Sequence, residues 1–166
     1  MGTRSIRLLV VDDHEPWHDF VSKAFRDRPE IQVVARVCDG LEAVRQAEQL
    51  QPDLILLDIG LPKLNGIEAA RKIRDVSPDS KILFVSENRS AEIVDAALSA
   101  GGAGYVVKSD AGSELLPALK AVLDGKRFIS ASLATQLLAT TGLSVLQITP
   151  FSWVLGIISW LSRLYI

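Results

Sequence analysis

The feature that most constrains the fold is a repeated alternation of short apolar segments with segments whose apolar residues recur at helical spacing. The short segments are rich in Val, Ile and Leu and are typical of strands that are buried on both faces of a sheet. Because parallel strands are joined by right-handed crossover helices, five such pairs predict a parallel sheet covered on both faces. We therefore predict an α/β fold with a doubly wound (βα)5 sheet.

The boundaries of these elements follow from the same pattern and from capping residues. Asp39 and Glu42 form a capping pair at the start of the second helix, and Ser113 is a candidate N-cap for the fifth. The predicted strands are Ile6–Val11, Ile31–Val37, Leu54–Leu57, Lys81–Val85 and Tyr105–Val107. The predicted helices are Pro16–Arg28, Leu41–Leu50, Ile67–Val76, Ala91–Ala100 and Glu114–Leu123.

Polar residues follow four of the five predicted strands. Asp12 and Asp13 end the first strand, Asp58 the third, Ser86 the fourth and Lys108 the fifth. In an open parallel sheet, ligands bind outside the carboxyl ends of the strands, so these side chains converge on one crevice. Taken singly, each has a simpler explanation: the acids and the serine can cap helices, and the lysine can lie on the surface. Because all of them follow strands of the same sheet, a common functional site is favoured over these separate explanations.

The residue types in this crevice point to phosphoryl chemistry. Three carboxylates within a few Å repel one another unless a cation lies among them, and oxygen ligands suit Mg²⁺. With Asp58 as the nucleophile, the metal and the Lys108 ammonium neutralise the charge that spreads over a phosphoryl group. The Ser86 hydroxyl can donate a hydrogen bond to a phosphoryl oxygen and so sense its presence.

Composition limits the class of protein. The chain has 166 residues, of which 48% are hydrophobic and 23% charged, which fits one ordinary domain with a short appendage. A formal net charge of -2 gives no general attraction to nucleic acid. The single cysteine, Cys38, has no partner for an internal disulfide, and the start of the sequence has no signal-peptide segment. We expect a cytoplasmic protein.

Three motifs resemble those of the receiver domains of two-component response regulators, the CheY-like family. They are Val10-Val11-Asp12-Asp13-His14, Leu57-Asp58-Ile59-Gly60-Leu61-Pro62 followed by Asn65-Gly66, and Gly104-Tyr105-Val106-Val107-Lys108-Ser109. The likeness covers the chain from Ser5 to Ile129 and is strongest to receivers of LuxR/NarL-type regulators. It implies a flavodoxin-like fold. One departure is Ser109, where many receivers have proline, and it leaves the geometry of that peptide bond open.

The resemblance also implies a role for each residue of the site. Asp58 would accept a phosphoryl group from the phosphohistidine of a sensor histidine kinase, and Lys108 would pair with the acyl phosphate. Ser86 would move toward the phosphoryl group while Tyr105 turns inward, which alters the face of the fourth helix, fifth strand and fifth helix. From the residues alone, Tyr105 could be ordinary strand packing. The implied Mg²⁺ ligands are Asp12, Asp13, Asp58 and the backbone carbonyl of Gly60.

The tail departs from the receiver pattern, and we predict a receiver domain over residues 1–129 and a hydrophobic helical tail over 130–166. No charged residue occurs between Arg127 and Arg163. Helices are predicted over Leu133–Ala139 and Ser152–Tyr165. We expect the tail to pack on its own receiver or to pair with a second copy. A membrane span ranks below this, since reaching about 20 apolar residues would place Pro150 inside the helix.

Three functional hypotheses remain at this point. The first is a phosphorylation switch, not an enzyme, that signals to an unknown downstream protein. The second is a truncated or frameshifted LuxR-type regulator without its DNA-binding domain, since the tail lacks the length and charge for direct DNA binding. The third is a hydrolase, but phosphatases of the haloacid dehalogenase type place a second acid where this chain has Gly60.

Overall fold

A computed structural model of the protein describes residues 5–135. Compact packing divides the chain into two units, Met1–Ser130 and Ala131–Ile166. The described part of the first unit contains a six-stranded sheet in the order β2-β1-β3-β4-β5-β6, with every neighbouring pair parallel. The strands are β1 Ile6–Val11, β2 Ile31–Val37, β3 Leu54–Leu57, β4 Lys81–Ser86, β5 Gly104–Val107 and β6 Phe128–Ile129.

Five α-helices connect or follow these strands. They are α1 Glu15–Ala24, α2 Gly40–Leu50, α3 Gly66–Val76, α4 Ala91–Ser99 and α5 Ala111–Leu123, with a short 3-10 helix at Lys108–Asp110. This is the predicted doubly wound, flavodoxin-like order, extended by one strand. The two residues of β6 are too few to produce a periodic signal, which explains why the sequence did not reveal that strand.

Two predicted helix boundaries are wrong by more than one residue. The first helix ends at Ala24, not at Arg28, and Arg28 precedes Pro29, a position where helical geometry is disfavoured. The fifth helix begins at Ala111, directly after the 3-10 helix, so Ser113 is not its N-cap. The Ser113 hydroxyl instead donates to the Asp110 carbonyl one turn earlier.

The capping pair on α2 is half confirmed. Asp39 is the N-cap, and its Oδ1 accepts a hydrogen bond of 2.8 Å from the Glu42 backbone N–H. The Glu42 carboxylate does not complete a reciprocal capping box, because it binds the side chains of Arg45 and Gln46. The start of α2 is therefore fixed by Asp39 alone.

The sheet is buried on both faces, as the continuous apolar segments predict. Alternate strand residues share one core with α1 and α5, and the intervening ones are at most 1% exposed on the other face. The first set is Leu8, Val10, Leu54, Leu56, Leu83, Val85 and Val106. The second is Leu9, Val11, Ile55, Leu57, Ile82, Phe84, Tyr105 and Val107. Each buried Leu or Ile contributes about 1.5–3 kcal/mol, so this two-sided burial holds the strand ends in place.

Strand register places the functional residues at one edge. Val11 pairs with Leu57 across β1 and β3, so the acids that follow these residues leave the sheet side by side. The Asp58 backbone N–H donates to the Val11 carbonyl at 3.0 Å, which extends the ladder to Asp58. In β4 and β5, Ser86 pairs with Val107, directly before Lys108.

The described part of the second unit is short. Residues 131–135 are helical, and the Thr135 hydroxyl donates to the Ala131 carbonyl within this turn. The predicted helix Leu133–Ala139 overlaps these residues only in part. The rest of the predicted tail, including Ser152–Tyr165, lies outside the described residues. Over residues 5–135, the structure has no helix with the length and apolar content needed to cross a membrane.

Candidate functional site

Asp58 lies at the carboxyl end of β3, in the centre of the sheet edge. Its side chain is nearly buried, with the residue 8% exposed. Oδ2 accepts a hydrogen bond of 3.1 Å from the Gly60 backbone N–H, while Oδ1 faces the Lys108 ammonium at 3.5 Å. One oxygen is therefore held by the loop and the other faces the cationic side of the crevice.

The loop after Asp58 is fixed by Gly66. A Cβ at Gly66 would lie 1.9 Å from the Asp58 carbonyl oxygen, so only glycine allows the start of α3 to pass this close to Asp58. The Gly66 N–H donates to the Ile59 carbonyl at 2.9 Å, which closes the loop. Asn65 caps α3 by accepting a hydrogen bond from the Glu68 N–H. The motif Asn65-Gly66 thus shapes the loop that presents Asp58.

Lys108 reaches into the site from the end of β5. Its side chain is only 13% exposed, and Nζ lies 2.6 Å from Oδ2 of Asp12 as well as 3.5 Å from Oδ1 of Asp58. The simpler interpretation of a surface lysine is therefore wrong. The ammonium bridges the acids of two neighbouring strands, as the convergence of strand ends predicts.

Asp12 is fully buried, and its two oxygens have different surroundings. Oδ1 accepts a hydrogen bond of 2.9 Å from the His14 N–H at the start of α1. Oδ2 makes the ion pair with Lys108, but the geometry of that contact is not that of a hydrogen bond. The N-cap of α1 is His14, so the alternative that Asp12 only caps this helix is wrong, and its Oδ2 has no hydrogen bond.

The acidic corner fits a small divalent cation. Among residues 5–135, Asp12, Asp13 and His14 can bring their ligand atoms within 4.8 Å of one another. The carboxylates of Asp12 and Asp13 are the hard oxygen donors that Mg²⁺ prefers, and the buried Oδ2 of Asp12 still lacks a hydrogen bond. The predicted ligand Asp58 is not part of this group; it lies across Lys108 from Asp12. His14 was not predicted as a member of the cluster.

The electrostatics of Asp58 reflect its burial. Loss of hydration raises the pKa of its carboxyl group, the Lys108 ammonium lowers it, and the negative charge of Asp12 raises it again. Burial dominates, so the pKa of Asp58 is above its ordinary value. The Lys108 ammonium alone therefore does not offset the cost of burying the negative charge of Asp58. A second cation nearby would offset more of that cost.

The two predicted switch residues are joined by a third. The Asn88 N–H donates to the Ser86 hydroxyl at 3.2 Å, and the Tyr105 hydroxyl donates to the Asn88 carbonyl at 2.8 Å. The alternative that Ser86 caps the next helix is wrong, because Ser90 caps α4. Asn88 thus couples the strand ends of β4 and β5.

Tyr105 already occupies the inward position. Its side chain has no exposed surface and packs beside Phe84, with ring centroids 6.5 Å apart. Burial raises the pKa of the Tyr105 hydroxyl, the nearby Ser86 hydroxyl lowers it, and the charge of Asp58 raises it further. The ring of Tyr105 is therefore inward in this structure, and a turn that accompanies phosphorylation stays a prediction.

Sequence reasoning missed the functional surroundings of two residues on α1. Helical spacing places Trp17 only in the helix core, but its ring lies under the Lys108 ammonium. His18 is buried, and its Nε2 hydrogen-bonds to the Asp12 carbonyl at 2.8 Å, which anchors the turn that carries the acids. Both side chains are one helical turn beyond the acidic pair, a distance that strand-end reasoning does not consider.

The Lys108–Ser109 peptide bond, whose geometry the sequence left open, is trans, as are all the peptide bonds of the described residues. The Ser109 hydroxyl accepts from Arg89 and donates to Asp110 on the surface beside the site. An open groove of about 360 Å³ lies between α1 and this turn, and both Trp17 and Lys108 line it.

Comparison with known proteins gives relatives that share this site region. The protein is 36% identical over 132 residues to "Response regulator GacA" of Pseudomonas viridiflava, a match that covers 80% of this chain and 62% of that protein. It is 35% identical over 150 residues to "Nitrate/nitrite response regulator protein NarL" of Escherichia coli (strain K12), covering 86% of this chain and 69% of that protein. The chain thus spans less than two thirds of the GacA protein.

A solved structure with the same fold is a two-component response regulator of the LuxR family from Aurantimonas sp. SI85-9A1. It superposes with a TM-score of 0.78 at 32% identity, over 84% of this chain and 99% of that chain. The family described as "Response regulator receiver domain" matches residues 8–120, which include every residue of the crevice. The chain therefore belongs to the response regulator receiver domain family of two-component systems.

Proposed function

We propose that the protein is a phosphorylation switch whose phosphoacceptor is Asp58. The observation that carries this proposal is the position of the Lys108 ammonium, which lies between the buried carboxylates of Asp12 and Asp58. A fixed cation beside a nucleophilic carboxylate is what phosphoryl transfer requires, because catalysis of this reaction is mainly positioning and charge neutralisation.

The proposed reaction transfers a phosphoryl group from a phosphohistidine of a sensor histidine kinase. An oxygen of the Asp58 carboxylate attacks phosphorus, a phosphorus–oxygen bond forms, and the phosphorus–nitrogen bond breaks. The imidazole nitrogen keeps the bonding electron pair and takes up a proton from solvent. Lys108 stays close to Oδ1 and neutralises part of the charge on the transferred group.

Asp12, Asp13, Asp58 and the backbone carbonyl of Gly60 are the proposed Mg²⁺ ligands. Asp12 and Asp13 are already close to each other, and a further cation would offset the burial that raises the pKa of Asp58. Bound at this position, Mg²⁺ would supply positive charge to the phosphoryl oxygens. Lys108 must then give up its ion pair with Asp12, since both cations need the same oxygen.

The proposed output runs through Ser86 and Tyr105. The Ser86 hydroxyl now accepts from Asn88, and donation to a phosphoryl oxygen would reposition it and the loop that it holds. Since Asn88 also accepts the Tyr105 hydroxyl, the change reaches the face formed by α4, β5 and α5. A downstream protein would bind this face, and the tail would pair with a second copy of the chain.

The rest of the proposal concerns the cellular context. The protein acts in the cytoplasm, where its single cysteine stays reduced. It is a switch and not an enzyme acting on other substrates, with at most self-phosphorylation and self-dephosphorylation. The kinase is identified only by the phosphohistidine that it would provide, and the target only by the face of the protein that it would bind.

The test is incubation of the full chain with acetyl phosphate, with Mg²⁺ or with a chelator, followed by intact-mass measurement. We expect a mass gain of one phosphoryl group only with Mg²⁺, and none in Asp58→Asn. A gain that persists in Asp58→Asn, or no gain in the wild type under any condition, would refute the proposal.

A second candidate function is a transcriptional regulator of which this chain is one part. The observation that favours it is the length of relatives named as transcriptional regulators, which extend well beyond the matched region. For example, the match covers 55% of "Transcriptional regulatory protein DegU" of Brevibacillus brevis. Translation of the downstream reading frames decides this: a helix-turn-helix segment there supports it, and its absence refutes it.

A further inference from the structure

The indole ring of Trp17 contacts the reactive end of the site. The Lys108 Nζ lies over the ring, 5.4 Å from its centroid, within the range of a cation–π interaction. Trp17 itself is 9% exposed, so the contact is largely shielded from water. The ring also packs against Phe20, with ring centroids 5.0 Å apart.

The Lys108 ammonium therefore has three contacts of different character. Two are the carboxylates of Asp12 and Asp58, which are also the proposed partners of the metal ion and of the phosphoryl group. The third is the neutral face of Trp17. An aromatic face attracts an ammonium through its quadrupole but does not bind Mg²⁺ as a carboxylate does, so this contact does not depend on the metal.

We propose that Trp17 is a positioning residue for the phosphorylation reaction. Its ring holds the Lys108 ammonium inside the crevice when the ion pair with Asp12 is given up, and so keeps the ammonium beside the oxygen of Asp58 that accepts the phosphoryl group. This inference rests on the proposed function of Asp58. It extends the site to α1, because Trp17 acts on the reaction only through Lys108.

The property of residue 17 that attracts the Lys108 ammonium is its aromatic ring. A leucine at this position would fill much of the same space in the core but would have no quadrupole to attract the ammonium. A phenylalanine would keep an aromatic face with a weaker attraction. Phe20 offers a matched control, because it packs against the same ring but is not the residue over which Lys108 lies.

The kinetic test compares the full chain with Trp17→Leu, Trp17→Phe and Phe20→Leu, each with acetyl phosphate at saturating Mg²⁺. We expect Trp17→Leu to lower the phosphorylation rate about tenfold, with Trp17→Phe recovering most of the loss and Phe20→Leu close to wild type. Equal rates in Trp17→Leu and wild type, or an equal loss in Phe20→Leu, would overturn the inference. If the wild type takes up no phosphoryl group, the proposed function fails instead.

A spectroscopic test needs neither metal nor phosphodonor and leaves Trp17 in place. The chain has three tryptophans, so Trp153→Phe and Trp160→Phe in the full chain leave Trp17 as the only tryptophan, whose indole is excited selectively at the red edge of its absorption. An ammonium over the ring perturbs the excited indole, and Lys108→Met should therefore change the emission maximum and lifetime. Lys126→Met, an exposed lysine after α5, serves as the control. Identical emission with and without Lys108 would overturn the inference, whatever the stability of Trp17→Leu.

Discussion

The ammonium of Lys108 lies 2.6 Å from Oδ2 of Asp12, a carboxylate with no exposed surface. This ion pair occupies the oxygen that the site would offer to a divalent cation. In this structure Lys108 is therefore the counter-ion of the buried Asp12 carboxylate. Binding of a metal becomes an exchange of one cation for another at Asp12.

The first prediction concerns the stability of the metal-free protein. Lys108→Met leaves the buried Asp12 without its cation, and we expect the free energy of unfolding to fall by about 2–4 kcal/mol in the presence of a chelator. Denaturant unfolding measures this. The double variant Asp12→Asn with Lys108→Met removes the uncompensated charge and should regain most of the loss; a double variant as unstable as the single one would contradict the explanation.

The second prediction concerns Mg²⁺ affinity. Because Lys108 competes for Asp12, Lys108→Met should bind Mg²⁺ about tenfold more tightly or better, since two unit charges a few Å apart interact by more than about 1 kcal/mol. Titration calorimetry of the full chain gives the dissociation constant. Lys126→Met removes an equal charge on the exposed surface and should leave the affinity nearly unchanged. Weaker Mg²⁺ binding by Lys108→Met would argue against competition.

The third prediction follows from the raised pKa of Asp58, whose main cause is burial. A carboxyl group with a raised pKa in the folded state binds more protons there than in the unfolded chain. Its ionisation therefore costs stability as the pH rises from the ordinary carboxyl pKa through the raised value. Without divalent cations, Asp58→Asn should be more stable than wild type at neutral pH, by about 1–2 kcal/mol.

The same reasoning fixes the pH dependence of that difference. It should shrink as the pH falls through the raised pKa of Asp58 and level off below the ordinary carboxyl value, because Asp58 is then neutral in both states. Denaturant unfolding at a series of pH values, with chelator present, provides the curve. If the stability difference between Asp58→Asn and wild type grows as the pH falls, the pKa of Asp58 is not raised in the folded state and the explanation is wrong.

The fourth prediction concerns Gly66, where a Cβ would lie 1.9 Å from the Asp58 carbonyl oxygen. Gly66→Ala should cost about 1–3 kcal/mol, the usual range for overpacking, and should slow phosphorylation because the loop that carries Asp58 must move. Gly112→Ala in α5 is the matched control, because a Cβ at Gly112 would meet open space and no loss is expected. Thermal melting and acetyl phosphate kinetics on both variants are sufficient, and equal behaviour of the two would disprove the steric argument.

Much of the fold could be predicted because strands buried on both faces and capped helices leave strong local patterns. The strand ends that carry Asp12, Asp58 and Lys108 were found in this way, since topology alone brings them to one edge. The start of α5 at Ala111 was missed because the 3-10 helix before it supplies the turn that a capping serine was expected to supply.

The finer contacts of the site could not be read from the sequence. The pairing of Lys108 with Asp12 at a shorter distance than with Asp58 depends on side-chain rotamers, not on strand order. The ring of Trp17 under Lys108 depends on how α1 packs across the sheet, and a tryptophan on an apolar stripe looks like any core residue. Such contacts between distant segments have no local signal.

The most direct test of the central claim is to locate the phosphoryl group on the chain. After reaction with acetyl phosphate and Mg²⁺, reduction with borohydride converts an acyl-phosphorylated aspartate to homoserine, and peptide mass spectrometry identifies its position. We predict homoserine at position 58 alone, and none when Mg²⁺ is withheld. Homoserine at Asp12 or Asp13, or a phosphoryl group on any other residue with Asp58 intact, would contradict the account.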